Sequence, residues 1–272
     1  MRIAIQGEKG SFHDEAAHRW FGDDIVIVPG ETFGDVFESV RRGDADAIVV
    51  AIENSLYGGI NPVYDLIESY EYPIIGEVHL PIHQQLIGRA DSKVTHIYSH
   101  PVALAQCENY LDIHYPGAQR VEYHDTAAAV EFIAKHGDGH WAAIASEAAA
   151  QLHDVPIIAA DIEDNPANYT RFLVLRPHGS IPVDADRTSL VLTTNHTPGA
   201  LAKVLTVLAE RNINLSKLQS RPIIGSPWKY RFYLVLDTAG PALHEALAEL
   251  RTYTQSLIIL GEYRHDTTDS MN

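Results

Sequence analysis

Five consecutive positions, Asn168-Tyr169-Thr170-Arg171-Phe172, bring together an amide, a phenol, a hydroxyl, a guanidinium and an aromatic ring. They run directly into the apolar Leu173-Val174-Leu175, and Pro166 resets the chain just before them. A hydroxyl beside a fixed positive charge suits an anionic substrate that is protonated or hydrogen-bonded during reaction. Taken alone, the stretch also reads as an ordinary loop entering a strand. A second group, Glu53-Asn54-Ser55, follows the apolar run at 47–52. A carboxylate where a buried strand emerges is partly desolvated, which raises its pKa and suits it to serve as an acid or a hydrogen-bond partner. Ser99 stands at another strand end, and Gln106 lies two turns into the helix that follows. Each has a local alternative: capping for Ser99, solvation for Gln106 and turn formation for Asn54.

The elements that position these residues alternate. Strands are expected at 2–6, 25–28, 47–52, 74–78, 85–89, 96–99, 121–123 and 142–145, with an extended segment at 156–160. Helices are expected after Ser11, Thr32, Pro62, Ser99-His100-Pro101, Asp125-Thr126 and Ser146, and the one after Pro101 runs to about 111. The alternation implies an α/β fold with a mostly parallel sheet. Strand after strand ends in a hydroxyl residue that caps a helix: Ser11, Thr32, Ser99, Thr126 and Ser146. Ligands of open α/β sheets bind outside the carboxyl ends of the strands, where helix N-termini favour carboxylates. After a linker at 177–182 the pattern becomes βαββαβ, the ferredoxin-like order, and the tail at 264–272 is polar.

Composition narrows the function. The net charge of −16 over 272 residues, with no Lys/Arg run, argues against nucleic acid or an anionic membrane as partner. No apolar run approaches membrane-spanning length, and no signal peptide is visible. The single cysteine, Cys107, excludes an intrachain disulfide, fits a reducing cytosol and reads as a packed small hydrophobe. Of the 15 histidines, His79 and His83 are four apart, but Pro81 breaks the helix that would align them. No histidine has neighbours in sequence that make a zinc site, and no phosphate loop, dinucleotide fingerprint or nucleophile elbow occurs. No metal and no cofactor are expected.

These pieces, in this order, resemble the monofunctional bacterial prephenate dehydratases that carry a C-terminal ACT regulatory domain. The resemblance rests on Gly7-x-x-Gly10-Ser11-Phe12, Ile52-Glu53-Asn54-Ser55, Leu80-Pro81-Ile82 and the stretch from Ser99-His100-Pro101 to Gln106-Cys107. It continues through 168–172 to Pro198-Gly199-Ala200-Leu201 and Gln219-Ser220-Arg221-Pro222. It implies a catalytic domain at 1–178, two-lobed and like a periplasmic binding protein, with lobes at about 1–80 plus 160–178 and at 81–159. An ACT domain follows at 186–263. The implied reaction turns prephenate into phenylpyruvate, CO₂ and water without a cofactor. The family's catalytic threonine falls on Thr170, and its other site positions on Glu53, Asn54, Ser99, Gln106, Arg171 and Phe172; Ser11 and Asn168 are substrate-binding candidates. The two ACT motifs, 198–201 and 219–222, imply L-phenylalanine as effector at an interface between copies in a homodimer or homotetramer. Gln219 stands where the motif usually has Glu; a neutral amide still accepts from an ammonium group, so weakened binding is expected. Chemically, Thr170 is expected to serve the leaving hydroxyl, Arg171 a substrate carboxylate, and helix N-termini near Ser11 and Ser99 the other carboxylate. The rival readings are an arogenate dehydratase and a non-catalytic amino-acid sensor.

Overall fold

The structure is a computed structural model that describes residues 1–89, 93–137, 139–195, 197–223 and 225–266. The last six positions of the polar tail, 267–272, lie outside the described residues. The chain starts with β1 (Arg2–Gln6), α1 (Phe12–Phe21), β2 (Val26–Gly30), α2 (Phe33–Arg41) and β3 (Ala47–Asn54). It continues through β4 (Gly58–Gly59), α3 (Asn61–Tyr70), β5 (Ile74–Pro81), β6 (Gln85–Gly88) and β7 (His96–Ser99). Then come α4 (Pro101–Gln106), α5 (Glu108–His114), β8 (Gln119–Glu122), α6 (Thr126–His136), β9 (Trp141–Ala145), α7 (Glu147–Leu152), β10 (Ile157–Ala159) and β11 (Tyr169–Leu175). Two compact units result: 1–58 with 79–172, and 59–78 with Leu173 onward.

The fold is two-lobed α/β, with one sheet to each lobe. The first sheet has the order β2-β1-β3-β11-β5, with β4 beside β3. The β1–β2 and β1–β3 pairings are parallel. All six residues at 47–52 are buried, as a strand covered on both faces requires. The second sheet has the order β10-β6-β9-β7-β8. Its β9 alternates: Ala142 and Ile144 join Leu104, Cys107 and Leu111 in one core, while Ala143 and Ala145 join Val130, Ile133 and Ala149 in another. The mostly parallel expectation holds for β7, β8 and β9, but β6 and β10 are antiparallel. β5 belongs to the first sheet and β6 to the second, with 82–84 between them.

Caps follow the sequence at Ser11, Thr32 and Ser146, whose side chains accept from the N–H groups of Asp14, Asp35 and Ala149. Two expected caps are displaced. Asp125, not Thr126, caps α6, and His100, not Ser99, caps α4. The single helix expected to about 111 breaks at Cys107 into α4 and α5. A carboxylate from far along the chain causes this: Asp164 accepts from Asn109 N at 2.9 Å and Tyr110 N at 3.1 Å, capping α5 from outside.

The remaining elements are β12 (Arg187–Thr194), α8 (Ala200–Glu210), β13 (Leu215–Pro222), β14 (Tyr230–Leu236), α9 (Pro241–Tyr253) and β15 (Thr254–Tyr263). They form an antiparallel sheet, β13-β14-β12-β15, with the βαββαβ order expected of an ACT domain. Leu190, Leu192, Val204, Leu208, Leu234 and Leu247 form its core between sheet and helices. Among the described residues no helix is long and apolar enough to cross a membrane.

Candidate active site

The end of β3 lies beside the start of β11, and the two are laced together. Ser55 N–H donates to Tyr169 O at 2.8 Å, and Tyr169 N–H donates to Ser55 Oγ at 2.9 Å. Inside this lacing, Asn54 Nδ2 lies 2.7 Å from Asn168 Oδ1, 3.1 Å from Tyr169 O and 3.1 Å from Thr170 Oγ1. The amide can only donate through Nδ2, so Thr170 Oγ1 is the acceptor and its own proton is directed elsewhere. Asn54 Oδ1 accepts from Leu56 N at 3.0 Å and Tyr57 N at 3.1 Å, tying the same amide to the loop that follows.

One residue further along each strand, Glu53 Oε1 and Arg171 Nη1 are 2.9 Å apart, with the arginine side chain 10% exposed. The contact fits the hydrogen-bond-partner role expected for Glu53 alongside that of an acid.

The other predicted residues have partners of their own. Gln106 is buried rather than solvated, and its Oε1 accepts from Gln84 Nε2 at 2.9 Å. Ser99 is fully buried and donates to Ile144 O at 2.6 Å, so it ties β7 to β9 and caps no helix. Phe172 is buried edge-on against His13, with ring centroids 5.0 Å apart. Ser11 starts α1, but Asp14 of the same helix already accepts from Gly10 N at 2.7 Å. The loop before α1 closes onto the second lobe. Ser146 Oγ donates to Gly10 O, and a Cβ at Gly7 would stand 2.4 Å from Asp125 Oδ2, so only glycine fits.

Sequence reasoning missed Gln84, His13 and the carboxylate neighbours of His83. Gln84 falls between the strands expected at 74–78 and 85–89. His83 lies 2.9 Å from Glu163 and 3.6 Å from Asp161, and the three groups place ligand-type atoms within 4.8 Å of one another. Those carboxylates are remote in sequence and invisible to spacing. Glu163 also accepts from Gln84 N at 2.8 Å, so this set satisfies its own hydrogen bonds while fastening 161–163 to 83–85. Burial also pushes the Cys107 thiol up, consistent with an inert packed side chain.

His13 lies where β1 has run out and β3 still needs a partner: its Nε2 accepts from Ala51 N at 3.1 Å. Burial lowers its pKa from 6.5 to about 4, keeping it a neutral acceptor. The folded chain thus binds a proton less readily than the unfolded one. Its contribution is full above pH 6.5 and is lost as pH falls toward 4, by at most about 3 kcal/mol. His13→Gln, which keeps an acceptor without titrating, should flatten this fall in denaturant-unfolding curves. An unchanged slope would remove His13 as its source.

A two-lobed α/β unit with a directed hydroxyl and an ion pair at its strand ends, followed by a ferredoxin-like domain, defines a small-molecule enzyme with an attached regulatory domain. The chain belongs to the prephenate dehydratase family: the profile described as Prephenate dehydratase matches residues 3–180, and that of the ACT domain matches 188–253. A bifunctional chorismate mutase/prephenate dehydratase of Aquifex aeolicus is 36% identical over 97% of this chain and 73% of its own length. Arogenate dehydratase 4 of Arabidopsis thaliana, chloroplastic, is 37% identical over 98% of this chain and 68% of its own. The solved prephenate dehydratase of Arthrobacter aurescens in complex with L-Phe is 32% identical, with a TM-score of 0.88 over 97% of this chain and 90% of that one.

Proposed function

We propose that the protein is a carbon–oxygen lyase that converts prephenate to phenylpyruvate, CO₂ and water, under feedback control by L-phenylalanine. The observation that carries this reading is the Thr170 hydroxyl, which accepts from Asn54 and is free to donate next to the Glu53–Arg171 pair. The ring carboxylate leaves as CO₂, and its bonding electrons enter the ring, which becomes aromatic as the hydroxyl departs. Thr170 donates its proton toward that hydroxyl and regains one from solvent. Arg171, oriented by Glu53, pairs with a substrate carboxylate, and Asn168 holds the Asn54 amide in place. Buried Gln106, Ser99 and Phe172 shape the surroundings. A threonine is a weak acid, so most of the acceleration comes from positioning and electrostatics.

Residues 1–178 form the catalytic domain, with lobes at about 1–80 plus 160–178 and at 81–159, and 186–263 form the regulatory domain. The family profiles support this division. The effector site comprises 198–201 and 219–222, and L-phenylalanine is its ligand. The complex of the Arthrobacter relative supports that choice. β13 and β15 are sheet edges, and pairing between copies would cover one, giving a homodimer or homotetramer. With one cysteine, the chain suits the cytoplasm.

The plant relative motivates the rival substrate, arogenate, which carries an amino group where prephenate has a keto group. Comparing kcat/KM for the two acids tests the choice: prephenate should be preferred by at least about tenfold, roughly 1.4 kcal/mol of transition-state discrimination. A preference for arogenate would reassign the substrate, and turnover of neither acid would leave the amino-acid sensor.

A further inference from the structure

The segment that follows the catalytic strand is built into the unit that carries the regulatory sheet, and it touches the effector motif. Gln219 and Arg221 lie on the same side of β13, the more buried one, whereas Ser220 and Pro222 are exposed. Arg221 Nη2 is 2.5 Å from Asp65 Oδ2 on α3. Gly59 carries no side chain, and the space a Cβ would enter is bounded by Gln219 Oε1 at 3.5 Å and the Tyr64 ring at 3.4 Å. Next to the motif, Glu68 of α3 receives the Tyr233 hydroxyl at 2.9 Å and Arg231 at 2.9 Å. Burial, reinforced by Glu68, pushes the Tyr233 phenol up and keeps it a donor.

From Gly59 the chain leads back through the loop at 55–58 to Asn54. That side chain holds the N–H groups of Leu56 and Tyr57 with one end and Thr170 Oγ1 with the other. A displacement of the loop therefore changes what Asn54 can donate, and with it the direction of the Thr170 proton. We propose that Asp65, with Glu68, is the positioning device that couples occupancy of the effector motif to the Asn54–Thr170 hydrogen bond. When an amino acid binds at 219–222, Arg221 shifts its pairing with Asp65, α3 moves, and the loop draws Asn54 out of register. This rests on the reading of 198–201 and 219–222 as an L-phenylalanine site.

Allosteric control is a coupling between two binding events, so the test separates binding from its consequence. Asp65→Asn and Glu68→Gln would be made in the full chain. L-phenylalanine binding would be followed by calorimetry, and prephenate turnover with and without saturating L-phenylalanine. Both variants should bind L-phenylalanine within about threefold of wild type, which also shows that their regulatory unit is folded. Residual activity at saturation should rise at least about fivefold over wild type, the lower end of ordinary coupling. Inhibition as complete as in wild type, in both variants and with binding retained, overturns the proposal. A wild-type chain that binds no L-phenylalanine instead overturns the underlying site reading, and calorimetry of that chain alone reports it.

Discussion

Thr170→Ala lowers kcat by at least ~10²-fold, the scale for removing one group that donates to a departing oxygen. KM changes little, because the hydroxyl acts where charge develops and not in holding the ground state. The fold should tolerate the change: Asn54 Nδ2 keeps Asn168 Oδ1 and Tyr169 O as acceptors. Thr170→Ser, which restores the hydroxyl, should recover much of the rate. This pair of variants separates chemistry from packing, since serine lacks the methyl that packing would miss. Near wild-type kcat in the alanine variant would remove Thr170 from the mechanism and leave the Glu53–Arg171 pair as the seat of catalysis.

The second large effect concerns stability. Glu77 of β5 is completely buried and pairs with Arg187 of β12, which also lies 3.2 Å from Asp237. Arg187→Met keeps the volume and removes the guanidinium, leaving a carboxylate in a site that water does not reach. Breaking a buried pair from one side costs about 3–5 kcal/mol, far more than the pair itself contributes relative to apolar residues. The unfolding midpoint of the unit containing 59–78 and Leu173 onward should fall accordingly. Replacing both members with apolar residues, Glu77→Leu with Arg187→Met, should recover most of the loss. A single variant as stable as wild type would mean that 59–78 is not integral to that unit, and would weaken the coupling route through Asp65.

The sequence revealed much of this, and its failures share a cause. The buried strand at 47–52 was legible because six consecutive apolar or small residues leave no other reading. The βαββαβ order was legible from periodicity and turns. Thr170, Asn54 and Glu53 stood out as candidates because polar groups at the ends of apolar strands are locally conspicuous. What stayed hidden was set by residues distant in sequence. Asp164 breaks the helix at Cys107 from more than fifty positions away. Ile144 O takes the Ser99 hydroxyl that local chemistry would have given to a helix end. Arg171, 118 positions further along the chain, is the partner of Glu53. The grouping of 59–78 in one compact unit with Leu173 onward had no local signature, because it depends on pairs such as Asp65 with Arg221 and Glu77 with Arg187.

The most direct test supplies the purified chain with prephenate labelled with ¹³C in the ring carboxylate and follows both products by NMR. Phenylpyruvate and ¹³CO₂ should appear together in equal amounts, with no added metal or cofactor. The rate should collapse in Thr170→Ala. Prephenate that persists at its uncatalysed rate in the presence of the wild-type chain, or phenylpyruvate formation that is indifferent to Thr170, would contradict the account.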